Sequence, residues 1–266
     1  MSYDCRAGQH LGAMRAAAPL IHTITSFVAM GMVANVMLAA GAAPAMVHAR
    51  EDASEFAALA SALTINTGTL EPDWLDAMLW SAESARAAAR PWVLDPDAVG
   101  RTGYRRQAGA ALMARRPSAI RANAGTVLAL AAIGSLMERP GEEAGLQAAE
   151  DAARDLARRL GTVVALTGET DFVTDGERAA LIGGGHAVMP RVAALGGGLS
   201  GVVAAFLVAA DDPFDATCAA LAYYATAGEA AGRASAGPGS FVPAFLDALT
   251  ALAPDVLDAR AQVSAA

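Results

Sequence analysis

Residues 163–176 read VVALTGETDFVTDG, and residues 191–206 read RVAALGGGLSGVVAAF. The first stretch begins as a buried strand and opens into a polar turn. The second has three consecutive glycines ahead of an apolar segment, which predicts a Gly-rich turn followed by a buried helix. Amides at such a helix start point outward and carry the positive end of the helix dipole, which suits an anion. We therefore expect a nucleotide-phosphate site where the two stretches meet.

The rest of the chain alternates between short apolar runs and longer alanine-rich segments. This alternation predicts right-handed crossovers and an α/β fold, with a mostly parallel central sheet and helices on both faces. A short antiparallel pair is predicted around Asp175-Gly176, and the chain from Gly201 onward is predicted to be mainly helical. The predicted strands are 20–23, 45–47, 62–65, 92–94, 119–122, 163–166, 172–173 and 179–182, and the predicted helices are 26–40, 54–59, 72–90, 105–115, 126–133, 142–160, 201–210, 217–236 and 241–252.

The chain carries no linker long enough to divide it. The clearest mid-chain break, at residues 139–141, is predicted to be a short loop. A length of 266 residues is enough for one large domain with a sizeable core. We expect a single domain over residues 1–266.

Charge and composition exclude several classes of function. The net charge of −8 argues against nucleic acid or an anionic membrane as the main partner. No bulky apolar run reaches the length of a membrane span, and the first ten residues lack the pattern of a secretory signal, so we expect a cytoplasmic protein. Cys5 and Cys218 fit no metal or redox spacing and are expected to be reduced. The chain has no lysine, so a phosphate must be held by arginine, backbone amides or a metal.

Polar residues follow almost every predicted strand. In a doubly wound sheet, ligands bind beyond the carboxyl ends of the strands, so these side chains are expected to meet in one cleft. Two carboxylates are expected to face it: Asp95, and one of Glu169 and Asp171. The residues that follow the strands are Thr25, Ser26, His48, residues 66–69, Asp95, Pro96, Asn123 and residues 167–171.

Eight blocks of the sequence point to a known family, and they are residues 19–25, 33–35, 41–46, 66–70, 93–96, 120–124, 167–171 and 174–176. In this order they resemble the hydroxyethylthiazole kinases. The resemblance runs from about residue 14 to about residue 250 and implies a ribokinase-like fold. It also implies transfer of the ATP γ-phosphoryl group, with magnesium, to the hydroxyl of 4-methyl-5-(2-hydroxyethyl)thiazole or a related small alcohol, in thiamine salvage. The family's typical assembly implies a homotrimer with active sites between subunits.

The resemblance also implies roles for individual residues. Asp95 is expected to act at the magnesium–phosphate region, as a catalytic residue and metal ligand, and Gly197 stands at the family's catalytic cysteine. The ATP-binding residues implied are Arg121, Asn123, Thr167, Gly196 and Gly198, and the substrate-binding residues implied are Met46, Gly68, Thr69 and Asn35.

The chain departs from the family pattern where the chemistry is expected. The family motif Thr-Gly-Thr-Gly-Cys corresponds to residues 193–197, which read AALGG, and Leu195 is expected to narrow the phosphate region. The family's metal-organising glutamate is matched by Thr126, and Asp97 is a new carboxylate nearby. Two alternatives to a kinase stay open. One is a recruited family member acting on a different, more apolar substrate, and the other is a non-catalytic protein that retains the thiazole pocket.

Some of these residues also have simple structural interpretations. Asp95 is placed to cap a helix beside Pro96, and Glu169 or Asp171 to cap a turn. The glycines at 196–198 are equally compatible with a tight packing contact between helix and sheet.

Overall fold

The computed structural model describes residues 3–133 and 145–266. Its central sheet has the strand order β2-β1-β3-β4-β5-β6-β7-β8-β9. The six strands from β2 to β6 are parallel, and β7, β8 and β9 continue the sheet in antiparallel fashion. The strands are β1 (Leu20–Ile24), β2 (Ala43–Ala45), β3 (Ala62–Asn66), β4 (Trp92–Asp95), β5 (Ala119–Asn123), β6 (Val163–Thr167), β7 (Asp171–Thr174), β8 (Ala179–Ile182) and β9 (Val263–Ala265).

Helices cover both faces of this sheet. In the described residues they are α1 (Ala7–Ala17), α2 (Met30–Ala40), α3 (Arg50–Leu59), α4 (Pro72–Ala87), α5 (Gly103–Met113), α6 (Ala124–Ala131), α7 (Leu146–Leu160), α8 (Leu195–Val208), α9 (Pro213–Ala234), α10 (Pro238–Ala251) and α11 (Pro254–Arg260).

The sheet separates two apolar cores because successive strand side chains point to opposite faces. In β6, Val163 and Ala165 join the core formed with α1, α2 and α8–α11. Val164 and Leu166 join the core formed with α3–α7. A strand buried on both faces reads as a continuous apolar run, which is why these strands were predictable from the sequence. The predicted ribokinase-like α/β architecture is confirmed.

The largest errors in the predicted elements lie at the sheet edge and at helix starts. Strand β2 runs over Ala43–Ala45, earlier than the predicted 45–47, because Pro44 is tolerated in an edge strand. Helix α2 begins at Met30, four residues after the predicted start, because a turn with a hydrogen bond from Ala29 N to Ser26 O precedes it. Helix α3 begins at Arg50, four residues before the predicted Ser54.

Other segments were not predicted or differ at their ends. Helix α1, helix α11 and strand β9 were missed, and α8 begins at Leu195, so the three glycines lie inside its first turn. Helix α4 ends at Ala87, three residues before the predicted Arg90. The predicted loop at 139–141 and the predicted helix start at Glu142 lie outside the described residues.

Within the part of the chain that the structure describes, no single helix is long and apolar enough to cross a membrane. Helices α10 and α11 meet that test only as a pair, and the chain bends by 111° between them.

Candidate functional site

The carboxyl ends of the parallel strands bring the predicted polar residues to one edge of the sheet. The strand register places Asn66 at the end of β3 beside Asp95 at the end of β4. It also places Asn123 at the end of β5 beside Thr167 at the end of β6. The expected convergence of polar strand ends is therefore present.

Arg121 and Asp95 form an ion pair at the centre of this edge. Nη1 of Arg121 lies 3.3 Å from both carboxylate oxygens of Asp95. Both side chains are largely buried, with exposed fractions of 17% and 6%. The Nε atom of Arg121 is buried and has no hydrogen-bond partner among the described residues. Since the carboxylate uses one nitrogen of the guanidinium, the others are available to an anion.

Asp95 is held from a second side by helix α8. The hydroxyl of Ser200 donates to Oδ2 of Asp95 at 3.0 Å and also lies 3.2 Å from the carbonyl oxygen of Gly196. Asp95 is thus fixed by a cation and a hydroxyl, and among the described residues its side chain makes no helix-cap hydrogen bond beside Pro96. Sequence reasoning missed Ser200, although a serine within the apolar segment 195–208 was the signal for it.

Gly196 packs directly against the guanidinium of Arg121. A Cβ atom at this position would lie 2.6 Å from Nη2, 2.7 Å from Nη1 and 2.9 Å from Cζ. Contacts this short require one group to shift, so a side chain at this position would displace the Arg121 guanidinium or the first turn of α8. The first turn and the guanidinium therefore form one continuous donor surface.

The first turn of α8 presents its amides at the same place. The hydrogen bond from Gly198 N to the carbonyl of Ala194, at 3.1 Å, begins the helical pattern, and the amides of Leu195, Gly196 and Gly197 precede it. These amides carry the positive end of the helix dipole. Gly196 and Gly197 therefore lie at the helix start for which the sequence predicted an anion site, and anion binding there stays a prediction.

Gly198 packs against neighbouring side chains and lines neither cavity, so its implied contact with ATP stays a prediction. Its amide is already used within the helix. A Cβ atom there would lie 3.0 Å from Oη of Tyr224 and 3.1 Å from Cγ1 of Val36. Burial raises the pKa of Tyr224, so its hydroxyl keeps its proton and donates to the carbonyl of Leu195 at 2.8 Å. Gly198 is the packing glycine of the triplet.

A smaller cavity of about 250 Å³ lies on one side of Arg121. It receives the strand-end residues Asn66 and Asp95, and Gly197 forms part of its wall. Its lining residues are Ser26, Val28, Ala29, Asn66, Asp95, Pro96, Asp97, Arg121, Ala122, Asn123, Thr126, Ala194, Gly196 and Gly197.

A larger cavity of about 790 Å³ lies on the other side, and Arg121, Asn123 and Gly196 line both. Leu195 was expected to narrow the phosphate region, but its side chain is almost completely buried in the apolar core and stands along the cavity wall. The cavity is therefore not filled by it. The other lining residues include Thr167, Gly168, Glu169, Asp171, residues 184–187, Met189, Pro190, Leu199 and Tyr224.

The segment 183–192 contributes residues 184–187, Met189 and Pro190 to the wall of the larger cavity. It packs against α9 at two glycines of that helix. A Cβ atom at Gly228 would lie 2.4 Å from Sδ of Met189, and one at Gly232 would lie 2.1 Å from Cγ of His186. The two glycines are four residues apart and share one face of the helix. The absence of side chains at these two positions lets the segment pack closely against α9. The sequence analysis did not predict this contact.

Two further residues with predicted ATP contacts lie beside the cavities. Asn123 caps α6 by accepting a hydrogen bond from Thr126 N at 3.0 Å, and it lines both cavities. Thr167 lines the larger cavity, and its hydroxyl is 3.4 Å from the carbonyl of Ala122.

The predicted substrate-binding residues are not all brought together within one chain. Gly68 lies beside the smaller cavity, where its amide donates to Oδ1 of Asn66 at 2.8 Å, and Thr69 Oγ1 accepts from Phe27 N at 3.3 Å. Met46 packs against the apolar core and Asn35 is exposed on α2. Neither of these two lines the cavities described here, so their roles stay predictions.

Asp171 lines the larger cavity, and its carboxyl has a raised pKa. Burial raises the pKa of its carboxyl to about 6, although the hydrogen bond from Gly168 N at 2.9 Å and the charge of Arg121 oppose the shift. The hydrogen bond from Gly168 also shows Asp171 closing the turn after β6.

Replacing Asp171 by asparagine should stabilise the protein in a pH-dependent way. The folded pKa lies above the unfolded value, so the folded state loses stability as the pH rises from about 4 through 6. Asparagine keeps an acceptor for Gly168 N but carries no charge. We expect Asp171→Asn to raise the free energy of unfolding by roughly 1 kcal/mol at pH 7.5, discounted for partial exposure, and by almost nothing at pH 4. Urea titrations at both pH values measure this, and an equal difference at the two would contradict it.

Ala194 adopts a left-handed backbone conformation, with φ 67° and ψ 4°. A residue with a Cβ atom costs about 1 kcal/mol in this region, and glycine does not. We expect Ala194→Gly to raise the free energy of unfolding by roughly 0.5–1 kcal/mol, seen as a higher urea midpoint at unchanged slope. Ala193→Gly is the matched control, since Ala193 has no positive φ, and it should be neutral or destabilising. Equal destabilisation by both changes would refute the strain at Ala194.

Comparison with known proteins agrees with this geometry. The model of the "Hydroxyethylthiazole kinase family" matches residues 11–255. A hydroxyethylthiazole kinase of Cereibacter sphaeroides strain ATCC 17025 is 53% identical over 261 residues, covering 98% of this chain and 99% of that protein. One from Rhizobium etli strain CFN 42 is 53% identical over 257 residues, covering 96% and 100%.

Solved structures show the same similarity. The hydroxyethylthiazole kinase protein from Pyrococcus horikoshii OT3 superposes with a TM-score of 0.90 at 34% identity, covering 98% of both chains. The pyridoxal kinase from Staphylococcus aureus in complex with AMP-PCP and pyridoxal has a TM-score of 0.65 at 13% identity, covering 94% of this chain and 99% of that one, which shows a shared fold. The chain belongs to the hydroxyethylthiazole kinase family.

Proposed function

We propose that the protein transfers the γ-phosphoryl group of ATP to the hydroxyl of 4-methyl-5-(2-hydroxyethyl)thiazole. The observation that carries this proposal is the position of Arg121 and Gly196, which line both cavities and so stand where two substrates meet. Phosphoryl transfer depends mainly on positioning and on neutralising charge, and this surface supplies both. The named function of the relatives supports the same reaction.

The larger cavity has the size and chemistry for a nucleotide. Its volume of about 790 Å³ falls in the range of small-molecule sites, and its wall is apolar along Leu195 and Leu199. Arg121 and the first-turn residues Leu195 and Gly196 of α8 line the same cavity. A flat apolar base would fit the wall, and phosphates would fit the donors.

The residues around the smaller cavity fit a magnesium ion that is shared with phosphates. Magnesium prefers oxygen ligands and is usually bound by one or two carboxylates together with substrate oxygens. Asp95 and Asp97 supply two carboxylates, and Asn66 and Asn123 supply amide oxygens. Among residues 3–133 and 145–266, no group of three His, Cys, Asp or Glu side chains is placed to hold a metal ion. When bound, the ion neutralises phosphate charge that Arg121 alone does not.

The chain's own residues would act by orientation and charge. Arg121 and the amides of Gly196 and Gly197 would hold the phosphoryl oxygens beside the smaller cavity. Gly197 has no side chain, so it offers no base at the position of the family's cysteine. Of the described residues that line the smaller cavity, Asp95 and Asp97 are the carboxylates, and either would accept the proton of the substrate hydroxyl.

We also propose a homotrimer with active sites between subunits. Phe27 and Val28 precede α2 and are exposed by 62% and 85%, and Leu38 on the same side of α2 as Asn35 is exposed by 60%. Val28 also lines the smaller cavity. Large apolar side chains this exposed suit an interface better than water. We further propose that the protein is a single domain over residues 1–266 and that it acts in the cytoplasm, where ATP is supplied. Sedimentation velocity on the full chain tests the assembly, and a monomer that is fully active would refute shared sites.

The function is tested by mixing the protein with ATP, magnesium and hydroxyethylthiazole. Phosphorus NMR should show ADP and a new phosphomonoester in equal amounts, and chelation of magnesium should abolish both. No product, together with no binding of magnesium–ATP in calorimetry, would overturn the proposal and favour a family member recruited to another substrate.

A further inference from the structure

Arg105 on α5 ties together two loops that border the smaller cavity. Its Nη1 donates to the carbonyl oxygen of Thr67 at 2.7 Å and to that of Asp97 at 3.1 Å. Its Nη2 donates to the carbonyl oxygen of Gly68 at 3.0 Å. Thr67 and Gly68 follow β3, and Asp97 follows β4, so one guanidinium bridges consecutive strand ends.

The contact uses the geometry of arginine more than its charge. A guanidinium offers planar donors in a fixed fork, whereas a lysine ammonium is a single mobile point. The three acceptors are neutral main-chain carbonyls on two loops. A hydrogen bond from Thr67 Oγ1 to the same Asp97 carbonyl, at 3.1 Å, strengthens the link between the loops.

The bridged loops are closely packed around Gly68. A Cβ atom there would lie 2.8 Å from Oδ1 of Asn66, 3.0 Å from Cβ of Ser26 and 3.2 Å from Oδ2 of Asp97. Asn66, Ser26 and Asp97 all line the smaller cavity. A shift of either loop would therefore change the shape of that cavity and move the Asp97 carboxylate.

We propose that Arg105 is a positioning residue for the alcohol substrate. It does not line either cavity, and it acts by fixing the Gly68 loop against the Asp97 loop. The larger cavity is lined by other segments, so the part of the site proposed for the nucleotide base does not depend on Arg105. This inference rests on the proposed function, because it assigns the smaller cavity to the alcohol.

The test compares Arg105→Ala and Arg105→Lys with Arg106→Ala as the matched control. Arg106 is the exposed neighbour, and the one side-chain hydrogen bond that it makes among the described residues is to the Gly100 carbonyl, at 3.4 Å. Because Arg105→Ala removes three hydrogen bonds from a charged donor, we expect it to raise KM for the alcohol by at least about tenfold. The dissociation constant for ATP, measured without magnesium because Asp97 is a proposed magnesium ligand, should stay at the wild-type value. Arg105→Lys should resemble the alanine variant, and Arg106→Ala should resemble wild type.

Two readouts separate positioning from a general loss of structure. Hydrogen exchange in Arg105→Ala should accelerate at residues 66–70 and 96–99 and stay unchanged in the segment 183–192. Added millimolar guanidinium should lower KM for the alcohol again. An unchanged alcohol KM, or equal losses of alcohol and ATP affinity, would overturn the role of Arg105.

Failure of this proposal differs from failure of the proposed function. If the wild-type protein phosphorylates no alcohol, the proposed function is wrong, whatever Arg105 does. Calorimetric binding of hydroxyethylthiazole and hydrogen exchange still test Arg105 in that case. Unchanged exchange at both loops in Arg105→Ala would then overturn it.

Discussion

Replacing Arg121 by methionine should lower kcat/KM for ATP-dependent phosphorylation by roughly 10³. The guanidinium lies between the two cavities, contacts Asp95 at 3.3 Å and keeps an unpartnered Nε. Loss of one preorganised donor to a developing charge costs about 10²–10³ in rate, and loss of an arginine that neutralises transferring phosphate costs about 10³–10⁵. Methionine keeps the apolar volume, so the effect reports the donors. Steady-state kinetics with varied ATP and varied alcohol measure it.

Arg115→Met is the matched control for that experiment. Arg115 is also partly buried and paired, with Nη2 3.0 Å from Glu83. It is bonded to helix α4 and lines neither cavity. Its loss should affect stability and leave kcat/KM close to the wild-type value. Equal kinetic effects of the two substitutions would show that Arg121 acts through stability and not at the site.

Replacing Gly196 by alanine should reduce kcat/KM by roughly 10², because small displacements of a catalytic group have effects of that size. The new methyl group would lie 2.6–2.9 Å from three guanidinium atoms of Arg121, so the arginine must leave Asp95 or the first turn of α8 must shift. Steady-state kinetics give the loss. A crystal structure of the variant would show the displaced side chain.

Gly31→Ala is the control for Gly196→Ala. Gly31 lies on helix α2, and a Cβ atom there would meet nothing within 4 Å. Alanine is the better helix former by about 1 kcal/mol, so this change should stabilise the protein slightly and leave activity unaltered. If Gly196→Ala were as active as Gly31→Ala, the close approach of Arg121 to the helix would have no catalytic meaning.

The sequence was sufficient to predict the fold and the edge of the sheet that holds the site. Strands such as 163–166 are apolar on both faces, and their order with the helices leaves few topologies. The polar residues after each strand, among them Asp95 and Asn123, were expected to meet because parallel strands end together. Their positions relative to Arg121 followed from that rule and from the resemblance.

The details that decide the chemistry were not predictable, because they depend on contacts between distant segments. The sequence does not distinguish Gly196, which meets Arg121, from Gly198, which meets Tyr224. The bridge from Arg105 to the loops after β3 and β4 joins residues 38 and 8 positions apart. The start of α2 was misplaced because a turn at residues 26–29 replaced a side-chain cap.

The most direct test is a crystal structure of the full chain with magnesium and a nonhydrolysable ATP analogue. We expect the base in the larger cavity and the terminal phosphate against Arg121 and the amides of Gly196 and Gly197, facing Asp95. A nucleotide bound elsewhere, or a cavity beside Arg121 that side chains fill when the analogue is present, would contradict phosphoryl transfer at this site.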